Sequence, residues 1–328
     1  MTDTMRALLA GRGPLWVLED VPVPTPGPGE VLVRNRAAAV QNADVPMLAE
    51  NDPTSGGDGT VKVAGHEFAG EVAAVGSGAG DWAVGDAVMG LYPGSFAQYV
   101  AVDHRFVMPR PVGLPPERAV ALPTALLTEY GALLAAGFTA GQSVLVTGAT
   151  TGIGLVGVQI ARALGASTVI GTTRSAGKRE LLLSLGVDTV VVTAEEDMTS
   201  AVLAATHGDG VDVVLDHVAG QTFAQSLPAT RHDGHVVNIG RLAGPESTID
   251  IDALSFRHLT VHGVSFGFAR EETPRIIAGL RDTVLPAVAR GEIRPVIDST
   301  LPLGDPAPIV ARMTSADLAG KVVVLVDE

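Results

Sequence analysis

The 328-residue sequence contains no cysteine, which excludes disulfides, thiolate zinc sites and a cysteine nucleophile. Aromatic residues make up only 4% of the chain, so a core must consist mainly of valine, leucine and alanine. Basic residues are also scarce, because 22 Lys and Arg stand against 36 Asp and Glu for a formal net charge of -14. This charge argues against nucleic acid or an anionic membrane as a partner.

Long apolar runs are missing as well, since no stretch of about 18 apolar residues is available to span a membrane. The amino-terminal segment 1–6 lacks a basic region followed by an apolar stretch, so we expect no signal peptide and a cytoplasmic location. The sequence contains 46% hydrophobic and 18% charged residues, and these proportions are typical of a folded protein. The length is sufficient for two domains.

A glycine-rich turn, residues 148–154, is the most informative segment. An apolar, β-branched run ends at Gly148, and an apolar helical pattern follows Gly154. A strand that turns into a helix presents backbone N–H groups and a positive dipole end, and glycines let a pyrophosphate approach. The spacing departs from G-x-G-x-x-G, and an ordinary βα turn is the alternative interpretation. We predict a dinucleotide site whose contacts are Gly148, Ala149, Thr150, Thr151, Gly152, Ile153 and Gly154.

The segment after the next predicted strand indicates which dinucleotide binds. NAD sites carry an acidic residue about 20 positions beyond the glycines, but the first carboxylate here is Glu180. Arginine binds phosphate with two parallel donors, and cations are unfavourable at a helix start unless an anion is present. A solvated basic helix start is the alternative. We predict NADPH as the cofactor, with a 2′-phosphate held by Thr173, Arg174, Ser175 and Lys178.

Periodicity divides the chain near residue 119. The first third contains short strands broken by glycine and proline, and the segment 41–52 is expected to be a loop. Beyond it, strands and helices alternate, which predicts a doubly wound parallel sheet with ligands at the carboxyl ends of its strands. The predicted strands are 143–146, 167–171, 189–192, 211–216, 235–239, 260–264 and 321–326, and the predicted helices are 153–164, 178–185 and 271–289.

Several motifs, in order along almost the whole chain, resemble the medium-chain dehydrogenase/reductase superfamily. Within it, the chain is most similar to the zinc-independent quinone oxidoreductase and enoyl reductase branch. The matching segments are 26–33, 65–72, 94–100, 122–131, the glycine turn, 212–220 and 320–326. This set of motifs is typical of the superfamily and does not specify a substrate.

The resemblance implies an α/β fold with two domains. A GroES-like, β-rich catalytic domain would occupy residues 1–122, completed by 266–328, and a Rossmann NADP(H)-binding domain would occupy 123–265. It also implies a homodimer that pairs through the last Rossmann strand, 260–264. Further cofactor contacts implied by family position are Thr128, Asn238, Gly240, Phe266 and Phe268; the two phenylalanines are equally compatible with core or dimer packing.

The zinc ligands of the superfamily are not retained. The corresponding positions match Gln41, His66 and Thr124, of which only histidine is a good ligand. We therefore expect no metal. Without metal the site cannot polarise an alcohol strongly, whereas hydride addition to a C=C bond beside a carbonyl needs orientation and a proton donor.

The proton donor is the least defined part of the site. The segment 41–52 lacks the tyrosine found in related reductases, and family position puts Tyr130 near the nicotinamide. His66 is a candidate donor, with Gln41 and Asp44 beside it as further catalytic candidates. Alternatively, His66 is a remnant ligand position that is now bonded to Asp44 or Gln41.

The sequence thus predicts an NADPH-dependent, zinc-free reductase of an activated C=C bond in a small-molecule enone, quinone or enoyl thioester. Two alternatives stay open. One is a metal-free carbonyl reductase or alcohol dehydrogenase. The other is an NADPH-binding protein with little turnover.

Overall fold

The computed structural model describes residues 4–268 and 270–326. Contacts divide the chain into two compact units, which are residues 1–124, 277–281 and 295–328, and residues 125–276 and 282–294. The domain boundaries expected after residues 122 and 265 stay predictions. The first three residues of the amino-terminal segment, and positions 269, 327 and 328 of the expected tail, lie outside the described residues.

The described residues form strands and helices that we number along the chain. The strands are β1 (Thr4–Ala10), β2 (Val17–Pro22), β3 (Glu30–Ala39), β4 (Lys62–Val63), β5 (Glu67–Val75), β6 (Ala87–Leu91), β7 (Tyr99–Asp103), β8 (Val107–Pro109), β9 (Ser143–Val146), β10 (Thr168–Thr173), β11 (Thr189–Val192), β12 (Val211–Asp216), β13 (Thr230–Asn238), β14 (Thr260–Gly263), β15 (Ile297–Pro302) and β16 (Lys321–Leu325). The helices are α1 (Asp44–Asn51), α2 (Pro116–Ala119), α3 (Pro123–Ala135), α4 (Gly154–Ala163), α5 (Arg179–Ser184), α6 (Met198–Ala205), α7 (Gly220–Ala229), α8 (Ile251–Phe256), α9 (Glu272–Thr283), α10 (Leu285–Ala289) and α11 (Pro306–Met313).

The first unit is a β-rich domain built around the long strand β3. This strand pairs antiparallel with β5, β7 and β16. At its carboxyl end, Ala39 lies opposite Glu67 of β5 on one side and Val323 of β16 on the other. The segment that follows β3 therefore emerges between the first residues of β5 and β16, and this pairing assembles the site in the first unit.

The second unit contains a six-stranded parallel sheet in the order β11-β10-β9-β12-β13-β14. This is the Rossmann order, in which the strand sequence reverses direction between β9 and β12. Valine, leucine and isoleucine side chains of β9 to β13 are buried, as expected for a sheet that helices cover on both faces. The predicted fold class, a β-rich GroES-like domain plus a doubly wound Rossmann sheet, is confirmed.

Three local expectations were wrong. Segment 41–52 is not a loop, because it contains α1, whose Pro46 lies in the first turn where a missing N–H breaks no helical bond. The helix expected over 271–289 is interrupted at Val284, just before Pro286 opens α10. Strand β13 begins at Thr230 rather than at residue 235. None of the helices in the described part of the chain is long and apolar enough to cross a bilayer.

Candidate functional site

The glycine turn connects β9 to α4 and is anchored to the end of β10. The Gly148 N–H donates to Thr172 Oγ1 at 2.9 Å, and the Ala149 N–H donates to the Thr172 carbonyl at 2.9 Å. Gly148 has φ of +59°, a left-handed conformation that glycine adopts at little cost. A Cβ at Gly154 would lie 2.7 Å from the Gly148 carbonyl oxygen, so this turn closes only with glycine there.

Three backbone N–H groups of the glycine turn are candidate phosphate ligands. The N–H groups of Thr150, Gly152 and Ile153 have no acceptor among residues 4–268 and 270–326, whereas the Gly154 N–H donates to Thr151 Oγ1 at 3.0 Å. Unpaired N–H groups at the start of a helix are the usual ligands of a phosphate. The residues present therefore fit the pyrophosphate of a dinucleotide.

The segment after β10 supplies a second set of donors. The Ser175 N–H bonds Thr173 Oγ1 at 3.2 Å, which fixes the turn at the strand end. Arg174 is exposed and makes no hydrogen bond or ion pair within the described residues, while Lys178 is half-buried. The neighbouring Arg179 donates to the Val190 carbonyl at 3.0 Å and has a structural contact instead. Arg174 is thus the arginine available for an anion.

Asn238 and Gly240 lie at the carboxyl end of β13, at the same sheet edge as the glycine turn. The Asn238 amide donates to Asp216 Oδ2 at 3.1 Å and to the Gly240 carbonyl at 3.3 Å. A Cβ at Gly240 would collide with the His217 carbonyl oxygen. These contacts hold both residues where sequence reasoning expected a cofactor loop.

The remaining predicted residues of the second unit lie on or against α3. The Tyr130 hydroxyl donates to Thr283 Oγ1 at 3.3 Å, and only 8% of the residue is exposed. The half-buried Phe266 ring covers Gly131, since a Cβ at Gly131 would come within 2.5 Å of Phe266 Cζ. Thr128 is half-buried on the same helix; Phe268 is the exception and is half-buried in a turn between β14 and α9.

A buried acid–base pair in the second unit was missed by sequence reasoning. His217 follows β12, with Nε2 at 2.5 Å from Glu129 Oε1 and Nδ1 at 2.8 Å from the Thr147 carbonyl oxygen. Because both ring nitrogens face oxygen acceptors, a protonated imidazole satisfies both contacts. Burial alone would lower the pKa of His217, but the Glu129 carboxylate and the Thr147 carbonyl outweigh it, so the pKa is raised.

The same pair contains an unpaired oxygen. Glu129 is fully buried, and its Oε2 has no hydrogen-bond partner among the described residues; it lies against Gly157 of α4, where a Cβ would collide with it. The signal for this pair was present in the sequence, because Glu129 is the only charged residue in the apolar segment that becomes α3. A lone carboxylate in a buried helix requires a cationic partner.

The first unit brings together three of the predicted catalytic residues at the end of β3. His66 Nδ1 lies 2.8 Å from Asp44 Oδ1, and the other Asp44 oxygen accepts from the Gln41 N–H at 2.7 Å. Asp44 is the first residue of α1 and is almost fully buried, whereas the His66 side chain is 27% exposed. The unexpected helix α1 is therefore what holds the carboxylate against the imidazole.

The adjacent Glu67 has its charge compensated within the unit. Its Oε1 accepts from the Thr124 N–H at 2.7 Å, and its Oε2 accepts from the Lys321 ammonium at 2.8 Å and from the Gln41 side-chain amide. Glu67 is fully buried and Lys321 is nearly so. Gln41, Asp44, His66, Glu67 and Lys321 are called the His66 corner below.

The His66 corner does not fit a catalytic zinc ion. Zinc requires three or four converging N, S or O donors. Here Asp44 is bonded to His66 and Glu67 to Lys321, and within the described residues no convergent group of three His, Cys, Asp or Glu ligands includes His66. A buried ammonium provides the positive charge beside Glu67.

Two family models match the two halves of the chain. The model of the alcohol dehydrogenase GroES-like domain matches residues 27–112, and the model of the zinc-binding dehydrogenase matches residues 152–281. A relative, L-threonine 3-dehydrogenase of Pyrococcus abyssi, is 34% identical over 296 residues, which cover 81% of this chain and 84% of that protein. The chain belongs to the medium-chain dehydrogenase/reductase superfamily. Its second unit therefore has the Rossmann-type fold of a dinucleotide-binding domain.

The chain is also similar to a larger synthase and to mycobacterial proteins of known structure. The phthioceranic/hydroxyphthioceranic acid synthase of Mycobacterium tuberculosis is 34% identical over 302 residues, which are 91% of this chain but only 14% of the length of the synthase. A mycobacterial protein whose structure was solved in complex with NADPH superposes with a TM-score of 0.84 at 27% identity, covering 98% of this chain and 99% of that one. A mycobacterial quinone oxidoreductase of known structure superposes with a TM-score of 0.84 at 28% identity, covering 98% of this chain and 99% of that one.

Proposed function

We propose that this protein is an NADPH-dependent, zinc-free reductase that transfers hydride to an activated C=C bond of a small enone, quinone or enoyl thioester. The observation that carries the reaction type is the compensation of Glu67 by Lys321 and Gln41. This arrangement replaces a metal site with an internal ion pair. Alkoxide chemistry that depends on a Lewis acid is then disfavoured relative to conjugate reduction.

The choice of NADPH is supported by the second unit. The N–H groups of Thr150, Gly152 and Ile153, which have no acceptor among the described residues, would bind the pyrophosphate, and Arg174 would pair with a 2′-phosphate in two-donor geometry. No carboxylate precedes Glu180 after the end of β10, so the second unit lacks the acid that would bind a ribose diol. The mycobacterial neighbour solved with NADPH supports the same choice.

A bound NADPH supplies the hydride. For the reduction to balance, the chain's own residues would have to deliver a proton to the α-carbon next to the β-carbon that receives the hydride. We assign this proton to His66, since Asp44 accepts from one ring nitrogen and so orients the imidazole. Gln41 holds Asp44 through its backbone N–H and is a positioning residue. Tyr130, which family position puts near the nicotinamide, is a further catalytic candidate, although its hydroxyl bonds Thr283.

The test is NADPH consumption by the purified protein with a panel of 2-alkenals, quinones and enoyl thioesters, each also assayed with NADH. We expect oxidation of NADPH with at least one class and a weaker response to NADH. Arg174→Ala should abolish the preference for NADPH, whereas Arg118→Ala, another exposed arginine, should not. Tight NADPH binding without oxidation would favour the binding protein, and turnover of saturated carbonyls alone would favour the carbonyl reductase.

We also propose a homodimer formed through segment 260–264. Strand β14 is the free edge of the parallel sheet, and an edge strand carries unpaired backbone groups that a second copy can complete. Apolar residues are exposed beside it, namely Val261 at 44% and Phe256 at 75%. Sedimentation equilibrium should give a dimer for the wild type, and Val261→Pro should shift it to monomer because proline cannot pair in a strand.

A further inference from the structure

A second group of chemically active side chains lies at the opposite edge of the Rossmann sheet from the glycine turn. His232 and Asp233 are near the amino end of β13, and His258 lies in the turn between α8 and β14. His232 Nδ1 is 3.0 Å from Asp233 Oδ2, and His258 Nδ1 is 3.8 Å from Asp233 Oδ1. Within residues 4–268 and 270–326, this is the one group of three His, Cys, Asp or Glu residues whose donors all lie within 4.8 Å of one another.

The backbone holds these donors in place. The Asp233 N–H donates to the Arg257 carbonyl at 2.8 Å, and the Arg257 guanidinium donates to the Thr230 carbonyl at 2.9 Å. These two bonds tie the start of β13 to the turn before β14. The three donor residues therefore sit on two backbone segments that are already connected.

Backbone strain marks two of these three residues. Asp233 has φ of +59° and His258 has φ of +51°, in the left-handed region that non-glycine residues rarely adopt. His258 ends α8, where its N–H bonds the Ser255 carbonyl and the Leu259 N–H bonds the Leu254 carbonyl. Glycine is the usual residue at this position of a helix end. Because this left-handed conformation is less favourable for histidine than for glycine, we infer that the imidazole of His258 has a function.

We propose that His232, Asp233 and His258 bind a divalent transition-metal ion, with Zn²⁺ as the probe. Two imidazoles and one carboxylate are a ligand set that zinc, nickel and copper accept. The side chains are 58%, 74% and 68% exposed, so they can rotate to close the remaining distances while water fills the open positions. Neighbouring cations are engaged elsewhere, because Arg231 pairs with Asp212 at 2.7 Å and Arg257 bonds Thr230.

The bound ion would have a structural role. It would cross-link β13 to the α8–β14 turn, at the amino edge of a parallel sheet whose carboxyl edge carries the glycine turn. The site is independent of the proposed reductase activity. A ligand that binds only the folded state raises the unfolding temperature, and this gives a readout that does not depend on turnover.

The test is equilibrium dialysis of chelator-treated protein against ZnCl₂, followed by metal analysis, and a thermal melt with and without zinc. The wild type should bind one zinc ion per chain at this site and melt at a higher temperature in its presence. His232→Ala and His258→Ala should each weaken zinc binding by about tenfold or more and remove the thermal shift. The matched control is His207→Ala, because His207 is an exposed histidine that lines a surface cavity together with His232 but lies outside the group of three.

Two outcomes would contradict the proposed metal site. Equal losses in His207→Ala and His232→Ala would indicate unspecific binding to surface histidines and would overturn the proposal. Zinc that is lost in His66→Ala but retained in His232→Ala would place the metal in the His66 corner, against both proposals. Failure of the surface site alone would leave NADPH oxidation unchanged, so the two proposals fail separately.

Discussion

The glycine turn of the second unit and the His66 corner of the first unit differ in how far their polar groups are hydrogen-bonded. In the glycine turn, the N–H groups of Thr150, Gly152 and Ile153 have no acceptor within the described residues. In the His66 corner, both oxygens of Glu67 and both oxygens of Asp44 accept hydrogen bonds or ion pairs from the same unit.

The polar groups of the glycine turn therefore contribute to ligand binding, whereas those of the His66 corner contribute to the stability of the fold. Unpaired donors at the surface cost little in water and can bind a ligand anion. Buried charges must be compensated during folding, because an uncompensated one costs several kcal/mol. Substitutions in the glycine turn should therefore change affinity, whereas those at Glu67 and Lys321 should change stability.

The largest effect is expected for Lys321→Met, which removes the ammonium beside Glu67. The carboxylate would stay buried with only neutral donors, so the free energy of unfolding should fall by about 3–5 kcal/mol. Urea denaturation followed by circular dichroism measures this loss. Lys62→Met, at an exposed lysine, is the control and should have little effect.

A double variant tests whether the stability loss of Lys321→Met comes from the uncompensated charge of Glu67. Lys321→Met combined with Glu67→Gln removes both charges, and it should recover most of the lost stability because no unpaired charge is left. If the losses of unfolding free energy in the two single variants simply add, Glu67 and Lys321 do not interact. The charge compensation described for the His66 corner would then be wrong.

The next largest effect is expected for His66, whose side chain is 27% exposed. His66→Ala should lower kcat by about 100-fold on an accepted enone if the imidazole supplies the proton. Asp44→Asn should lower kcat less, because the ring keeps a hydrogen-bond partner but loses the charge that orients it. NADPH affinity, measured by fluorescence titration, should be unchanged in both variants, since neither residue belongs to the second unit. Unchanged turnover of His66→Ala would leave the histidine as a remnant ligand position.

The buried pair in the second unit gives a smaller, pH-dependent effect. Glu129→Gln removes the charge that holds His217 protonated, and it should lower the free energy of unfolding by about 1.5–3 kcal/mol near pH 6. Because the folded-state pKa of His217 is raised, its protonation contributes fully below the unfolded value of about 6.5. That contribution is lost as the pH rises through the folded value, so the gap between wild type and variant should narrow at alkaline pH.

Two measurements check this sign. Urea denaturation at a series of pH values should show the narrowing gap for Glu129→Gln and no gap for Glu180→Gln, at an exposed glutamate. NMR titration should give the His217 ring a pKa above that of the exposed histidines in the wild type only. A gap that widens with pH would contradict the protonated pair.

Much of the second unit could be predicted because its signals are local. The apolar run 143–146 followed by glycines requires only neighbouring residues to be recognised, and β9, β11 and β12 have the predicted bounds. The parallel order of the sheet follows from the alternation of strands and helices. The glycine turn is thus a feature that sequence reasoning reaches directly.

The His66 corner and the Glu129–His217 pair depend on contacts between distant positions. Lys321 reaches Glu67 only because β16 and β5 flank the same strand, and no local pattern around either residue indicates it. Helix α1 was missed because Pro46 and polar residues favour a loop in a local reading. A charged residue in an otherwise apolar segment, such as Glu129, signals a buried partner but does not identify it.

The smallest effect is expected in the glycine turn itself, for Gly154→Ala. The added Cβ would stand 2.7 Å from the Gly148 carbonyl oxygen and 2.9 Å from Ala149 Cα, so the turn must shift and its free N–H groups must move away from the pyrophosphate. We expect NADPH affinity to fall by about tenfold, which corresponds to about 1.4 kcal/mol, and the free energy of unfolding to fall less than in Lys321→Met, because the clash distorts one turn without leaving a buried charge unpaired. Fluorescence titration measures the affinity, and Gly304→Ala is the matched control because its Cβ would meet only the mobile end of Arg6, at 3.2 Å. A loss of stability without loss of affinity would mean that the turn serves the fold rather than the ligand, and the contrast with the His66 corner would disappear.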